Sequence, residues 1–128
     1  MNINAPLQVE LFVSDIALSI DFYARVLGFK IGERQPDGYT PMSNGSVRIS
    51  LNAHVNLPDD HPIHIAAGER PGRGVEFVLW VDDLQDIYAH VQAQGWPISG
   101  ELQRQPWGLD DFRLQDQDGY YLRFTSDT

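Results

Sequence analysis

Glu10, Arg48, Glu76, Arg113 and Arg123 stand at alternating positions of strand-like segments, together with Phe12, Trp80 and Tyr121. Tyr39 and Trp107 sit beside turns. The carboxylates suit general-base work on an acidic C–H or O–H. The guanidiniums are fixed cations that grip oxygen acceptors. The rings are stacking platforms. Aromatic platforms mixed with a few polar groups are how small-molecule sites are built. The competing reading is a solvated sheet face laced with cross-strand ion pairs. Trp80 favours a site, since a solvated face gains little from an indole. Glu10 and Glu76 have no nucleophile or electrophile beside them in sequence, so an enzyme reading stays open without a reaction class.

A second cluster, Asp59, Asp60, His61 and His64, lies in a proline-rich stretch. Histidines three apart can share a metal if both face inward. In such a stretch they also serve as solvated surface. Asp116 and Asp118 resemble the start of a calcium loop, but the acidic ligand that should follow is missing, so a plain hairpin turn is expected.

The elements that position these residues come in two copies. Val9 to Ile16 leads into a helical pattern ending at Gly28-Phe29, and Val75 to Leu84 leads into another ending at Gly95-Trp96. The offset is 67 to 68 residues, about half the chain, and marks an internal duplication. In the first copy Val9, Leu11 and Val13 alternate with Gln8, Glu10 and Phe12, a strand packed on one face. Ser14 and Asp15 suit a helix start, Ile16, Ile20, Tyr23 and Leu27 share a helical face, and Gly28 stops it. Strands follow at 29–34, 39–43 and 47–52, with turns at Gln35-Pro36-Asp37-Gly38 and Asn44-Gly45. In the second copy Phe77, Leu79 and Val81 alternate with Glu76, Val78 and Trp80. Asp82 or Asp83 caps a helix striped by Leu84, Ile87, Tyr88 and Val91. Trp96 opens a strand with Pro97 at an edge, Phe112 and Leu114 form another, and Tyr120, Leu122 and Phe124 alternate with Tyr121, Arg123 and Thr125.

The expected fold is α+β: two β-α-β-β-β modules forming a U-shaped mixed sheet around a cleft, with helices outside. The modules span 1–55 and 74–128. Residues 56–73 connect them, with a short ordered piece at 63–67, in one compact domain overall. The residues facing away from each helix would line the cleft.

The chain has 128 residues, no cysteine and a net charge of -9. Nucleic-acid binding is disfavoured, because phosphate neutralisation needs a basic surface. The acidity serves solubility or attracts a cationic ligand. No apolar run approaches a bilayer span and no secretory pattern opens the chain, so a cytoplasmic protein without membrane contact is expected. The lack of cysteine excludes disulfides.

The duplicated plan resembles the vicinal oxygen chelate superfamily of glyoxalases, extradiol dioxygenases and bleomycin-resistance proteins. The matching motifs are Asp15 through Asp21-Phe22-Tyr23 and Leu27-Gly28-Phe29, then Gln105-Pro106-Trp107-Gly108 and Asp116-Gln117-Asp118-Gly119-Tyr120. In that superfamily's enzymes a divalent metal takes one ligand from the first and last strand of each module. The matching positions here carry Gln8, Ser50, Glu76 and Arg123. Gln8 and Glu76 can ligate, Ser50 does so poorly, and Arg123 offers no lone pair. The resemblance therefore implies vestigial metal positions, no cofactor, and an ion pair of Arg123 with Glu76. It runs closest to the bleomycin-resistance branch: small acidic homodimers that bind an aromatic antibiotic without transforming it. Trp80-Val81 and Asp86-Ile87-Tyr88-Ala89 match that branch too. Trp107 takes the place of a drug-stacking tryptophan, and Tyr39 lies near another drug-contacting aromatic.

The expected ligand residues are Phe12, Arg48, Glu76, Trp80, Arg113 and Tyr121 from the cleft-facing alternation, with Tyr39 and Trp107 from the resemblance. Trp96, Trp107 and Phe112 are expected at a homodimer contact. Val9 departs from the branch, which has proline there. The alternative is a metal-independent or atypical-metal enzyme of the superfamily, glyoxalase- or isomerase-like. The three arginines near the cleft suit an amphipathic or partly anionic aromatic ligand.

Overall fold

The structure, a computed structural model, describes residues 7–127. Two compact units divide the chain, one closing at Pro71 and the other opening at Gly72. Each repeats one plan, in keeping with the expected α+β class. In the first unit the strands are β1 (Val9–Val13), β2 (Lys30–Ile31), β3 (Thr40–Asn44) and β4 (Val47–Ala53). Their order is β1-β4-β3-β2, with β1 parallel to β4 and the other pairs antiparallel. In the second, β5 (Phe77–Trp80), β6 (Gly100–Arg104), β7 (Asp110–Gln115) and β8 (Tyr121–Ser126) take the order β5-β8-β7-β6, with β5 parallel to β8.

Alternation decides which face each strand buries. Leu11, Val13, Ile49 and Leu51 are buried in the first unit, and Leu79, Phe112, Leu114, Leu122 and Phe124 in the second. Helix α1 (Ile16–Asp21) packs on β4, and α2 (Leu84–Ala93) packs on β8. The carboxylate of Asp15 accepts the Leu18 amide at 3.1 Å and caps α1. Asp83 holds the N-cap position of α2 without a side-chain cap bond.

The drift of the repeat offset has a physical cause. Ile16 matches Leu84 at 68 residues, whereas Phe29 matches Trp96 at 67. The first copy therefore holds one extra residue between helix start and helix stop. Residues Phe22–Val26 absorb it as a π-helical turn continuing α1. The Phe29 amide reaches back to the Tyr23 carbonyl, whereas the Trp96 amide reaches only to Val91. The wider turn broadens the buried stripe, so Phe22 and Val26 join Ile16, Tyr23 and Leu27 in the core.

Several expected elements are corrected. Trp96 does not open a strand. Its amide completes the end of α2, and its indole N–H donates to the Gln115 carbonyl at 2.7 Å. Pro97 has no N–H to enter a ladder, and β6 starts only at Gly100. The strand expected at 29–34 shrinks to Lys30–Ile31, and the piece at 63–67 forms no helix or strand. Phe112 cannot reach a partner subunit as placed, because it is fully buried and stacked on Phe124. The turn at 116–119 is a hairpin in which the Asp116 carboxylate accepts the amides of Asp118 and Tyr120, both at 2.9 Å.

Gly72 opens the second unit against the buried Tyr120 ring. A Cβ on Gly72 would stand 2.8 Å from Tyr120 Cε1, at a backbone φ of +74° that side chains rarely adopt. We expect Gly72→Ala to cost about 1–3 kcal/mol, in the range of overpacked sites. A urea-unfolding midpoint matching the parent would refute this.

Candidate functional site

The polar face of the second sheet is built by three rows of strand partners. Val78 (β5), Arg123 (β8) and Arg113 (β7) form the middle row, since Val78 pairs Arg123 and Arg113 pairs Arg123. Trp80, Thr125 and Asp111 form the row on one side, and Tyr121 and Gln115 lie on the other. Two guanidiniums thus stand directly opposite each other, an arrangement that like charges disfavour unless an anion intervenes.

Asp111 is that anion. It is 1% exposed. One of its oxygens, Oδ1, accepts the Gln105 side-chain amide at 2.8 Å. The other, Oδ2, lies 3.3 Å from Arg113 Nη2 and 3.9 Å from Arg123 Nη1. Burial by itself would lower the Arg113 pKa, but hydrogen bonds with Tyr121 and Asp111 outweigh it and leave the guanidinium above its ordinary value. Arg113 is therefore a permanent cation. On the far side of Arg123, its Nε lies 3.3 Å from Glu76 Oε1, the ion pair expected from sequence.

Trp107 reaches this cluster from the loop joining β6 and β7. The Gln105 amide donates to the Leu109 carbonyl at 2.8 Å, and the Gly108 amide to the Gln105 carbonyl at 3.0 Å. Gly108 has φ +91°, which closes the tight loop behind Trp107. The Gln35–Tyr39 loop of the first unit closes by the same two bonds, with Asp37 where Trp107 stands. Trp107 remains 55% exposed, with Arg123 Cζ 5.7 Å from its ring centroid, within cation–π range.

Five expected residues thus gather on the second unit: Glu76, Trp107, Arg113, Tyr121 and Arg123. Trp80 shares their sheet face but stands 59% exposed, and among the described residues no ring or cation lies on it.

In the first unit Gln8, Tyr39, Arg48 and Ser50 line one cavity with Pro41, Met42 and Ile49. Its volume is about 70 Å³, far below the roughly 300 Å³ or more of ligand pockets. Arg48 does not project freely there. Its Nη1 donates to the carbonyls of Gly45 at 2.8 Å and Val47 at 3.3 Å, so it braces its own hairpin. Phe12 is half-buried opposite Asn52. Glu10 accepts the Asn52 amide at 3.0 Å.

His61 and His64 each have a separate partner. The ring of His61 accepts the Ile63 amide, and His64 lies 3.9 Å from Asp59. Among the described residues no three histidine, aspartate or glutamate side chains come together. Among the described residues no helix is long and apolar enough to cross a membrane.

A larger hollow, about 240 Å³, lies at the start of α2 among Asp82, Asp83, Asp86, Asp110 and Ser126. Asp110 and Ser126 neighbour Asp111 and Thr125, so they point to the opposite face from the guanidiniums. Among the described residues, rings, cations and a buried anion converge at the guanidinium face and not at this hollow, so that face is the candidate site.

Asp111 was not anticipated. Its alternation with Arg113 signals the shared sheet face but not its burial.

The model for the Glyoxalase/Bleomycin resistance protein/Dioxygenase superfamily matches residues 5–124. No functionally curated protein matches the chain in sequence. Among solved structures, TioX from Micromonospora sp. ML1 is 25% identical with a TM-score of 0.78, over 97% of this chain and 99% of that one. An integron cassette protein from the mobile metagenome of V. cholerae is also 25% identical, with a TM-score of 0.73 over 100% and 98%. A lactoylglutathione lyase from Agrobacterium tumefaciens, 19% identical with a TM-score of 0.73 over 96% and 93%, shares the fold. With the match spanning both copies of the duplicated plan, the chain belongs to the Glyoxalase/Bleomycin resistance protein/Dioxygenase superfamily.

Proposed function

We propose that the protein binds a small aromatic, antibiotic-like compound and sequesters it without transforming it, in the manner of the superfamily's bleomycin-resistance branch. The observation that carries this reading is Trp107, an indole held at a tight loop beside a guanidinium yet 55% exposed. Core tryptophans bury that surface; a stacking platform keeps it available. Glu76, Arg113 and Tyr121 supply polar contacts around it. Trp80, on the same sheet face, adds further apolar surface.

The metal that the superfamily's enzymes use fits this donor set poorly. Of the four matching positions, Arg123 carries its own positive charge, and Glu76 already faces it at 3.3 Å. A divalent cation would meet a guanidinium where it needs a lone pair. The alternative, an atypical-metal enzyme of the superfamily, predicts stoichiometric transition metal in purified protein by elemental analysis. That result would overturn the sequestration reading. A homodimer belongs to the same reading, because members of the superfamily commonly form dimers. A single-chain mass in sedimentation velocity would remove it.

Trp107→Ala tests the platform. One aromatic pair contributes about 0.5–1.5 kcal/mol beyond burial, so a flat aromatic antibiotic should bind about twofold to twelvefold more weakly by calorimetry. Stability should move by only about 0.5 kcal/mol, as at other exposed positions. Unchanged binding together with a large drop in melting temperature would make Trp107 a structural residue instead.

A further inference from the structure

Arg123 has more donors than the protein gives it acceptors. Its side chain is 22% exposed and that of Arg113 is 26% exposed. The Nε of each is buried without a hydrogen-bond partner. Arg123 lies near two carboxylates, but no aligned hydrogen bond joins it to either among the described residues. Missing hydrogen bonds on a charged, mostly buried group are costly. Asp111 does not relieve this, because its Oδ2 lies 3.9 Å from Arg123 Nη1, beyond hydrogen-bond distance. Glu76 is 34% exposed and sits one residue ahead of β5, outside the ladder, where its side chain can swing away.

We propose that the guanidinium face of the second unit is a receptor for an oxyanion, a carboxylate or phosphate group borne by an aromatic ligand. Arg123 and Arg113 donate to it, Glu76 holds its place when it is absent, and Trp107 stacks on the attached ring. This inference rests on the aromatic-binding reading and adds the charge of the ligand. A guanidinium presents a planar fork matched to two oxygens. The Trp107 ring lies beside that fork, so an oxyanion docked on Arg123 brings its own ring against the indole. The chain's net charge of -9 repels anions at long range. At cellular ionic strength that repulsion is screened beyond about 8 Å, and the guanidinium pair decides at contact.

The test is titration of isotope-labelled full-length protein with naphthoate, neutral naphthamide and inorganic phosphate. The readouts are the Trp107 indole N–H and Arg123 Nε–H resonances. Naphthoate should shift both and saturate at about tenfold lower concentration than naphthamide, about 1.4 kcal/mol. Arg123→Gln should abolish that preference. Should this variant fail to fold, Glu76→Gln keeps the test alive. Removing the internal competitor should tighten naphthoate several-fold and leave naphthamide unchanged. Equal binding of naphthoate and naphthamide overturns the oxyanion receptor and leaves the aromatic reading standing. Phosphate binding as tightly as naphthoate supports the receptor and removes the aromatic platform. No shift with any of the three overturns both.

Discussion

Asp111→Ala should destabilise the protein by about 3 kcal/mol and abolish ligand binding at the guanidinium face. Removing one partner of a buried ion pair costs roughly 3–5 kcal/mol, because the other charge is stranded. Here the stranded charge is Arg113, which keeps 26% of its side-chain surface, whereas Arg123 still has Glu76 at 3.3 Å. Partial hydration places the cost at the lower end of that range. Two further losses act in the same direction. The guanidiniums face each other across β7 and β8 with no anion beneath them. Gln105, first residue of the loop that presents Trp107, loses its acceptor. One substitution therefore disturbs both the cations and the ring. Adding Arg113→Met to Asp111→Ala should recover part of the stability, a coupling that a double-mutant cycle measures. Equal denaturant midpoints for Asp111→Ala and the parent would show that the buried carboxylate is not what holds the pair.

Asp111 also marks where the sequence stops being legible. The first strand of each copy could be read because one face packs and the other does not, and alternation reports that directly. Leu11 and Leu79 are accordingly buried while Glu10 and Trp80 are exposed. The π-helical turn at Phe22–Val26 could not be read. It is a shift in hydrogen-bond phase, and its trace is a one-residue change in repeat offset. Strand β6 was expected to open at Trp96 and opens only at Gly100, because Glu101, Gln103 and Arg104 are exposed on an edge strand whose register breaks between Gly100 and Gln103. The site divides in the same way. The pairing of Arg123 with Glu76 followed from the resemblance, which sets both residues at former metal positions, and the two side chains lie 3.3 Å apart. The burial of Asp111 depends on cross-strand partners, and no local pattern reports those. Arg48 was assigned the correct strand, but its guanidinium turns back to the carbonyls of its own hairpin. Alternation gives the direction of a Cβ, not the destination of a long flexible side chain.

Phe112→Ala should have the largest effect on stability, about 3–5 kcal/mol, the usual cost of emptying a buried phenylalanine site. Phe112 has no exposed surface. Its ring stacks on Phe124 with centroids 5.1 Å apart and planes at 7°, and Tyr88 of α2 meets it at 5.0 Å. It therefore joins β7, β8 and the helix through one ring. A protein holds roughly 0.1 kcal/mol of net stability per residue, so a loss of this size removes most of what a unit this small has. The second unit should lose its near-ultraviolet circular dichroism and its amide-exchange protection at room temperature. Phe112→Leu, which keeps most of the volume, should remain folded. The contrast with Trp107 separates the two duties of this sheet. Phe112 and Arg113 are adjacent on β7 and point to opposite faces. One face is closed around aromatic rings that hold α2 in place, and the other keeps its ring and its cations within reach of a guest. If Phe112→Ala melted within a few degrees of the parent, the packed face would not be what sets Arg113 and Arg123 in register.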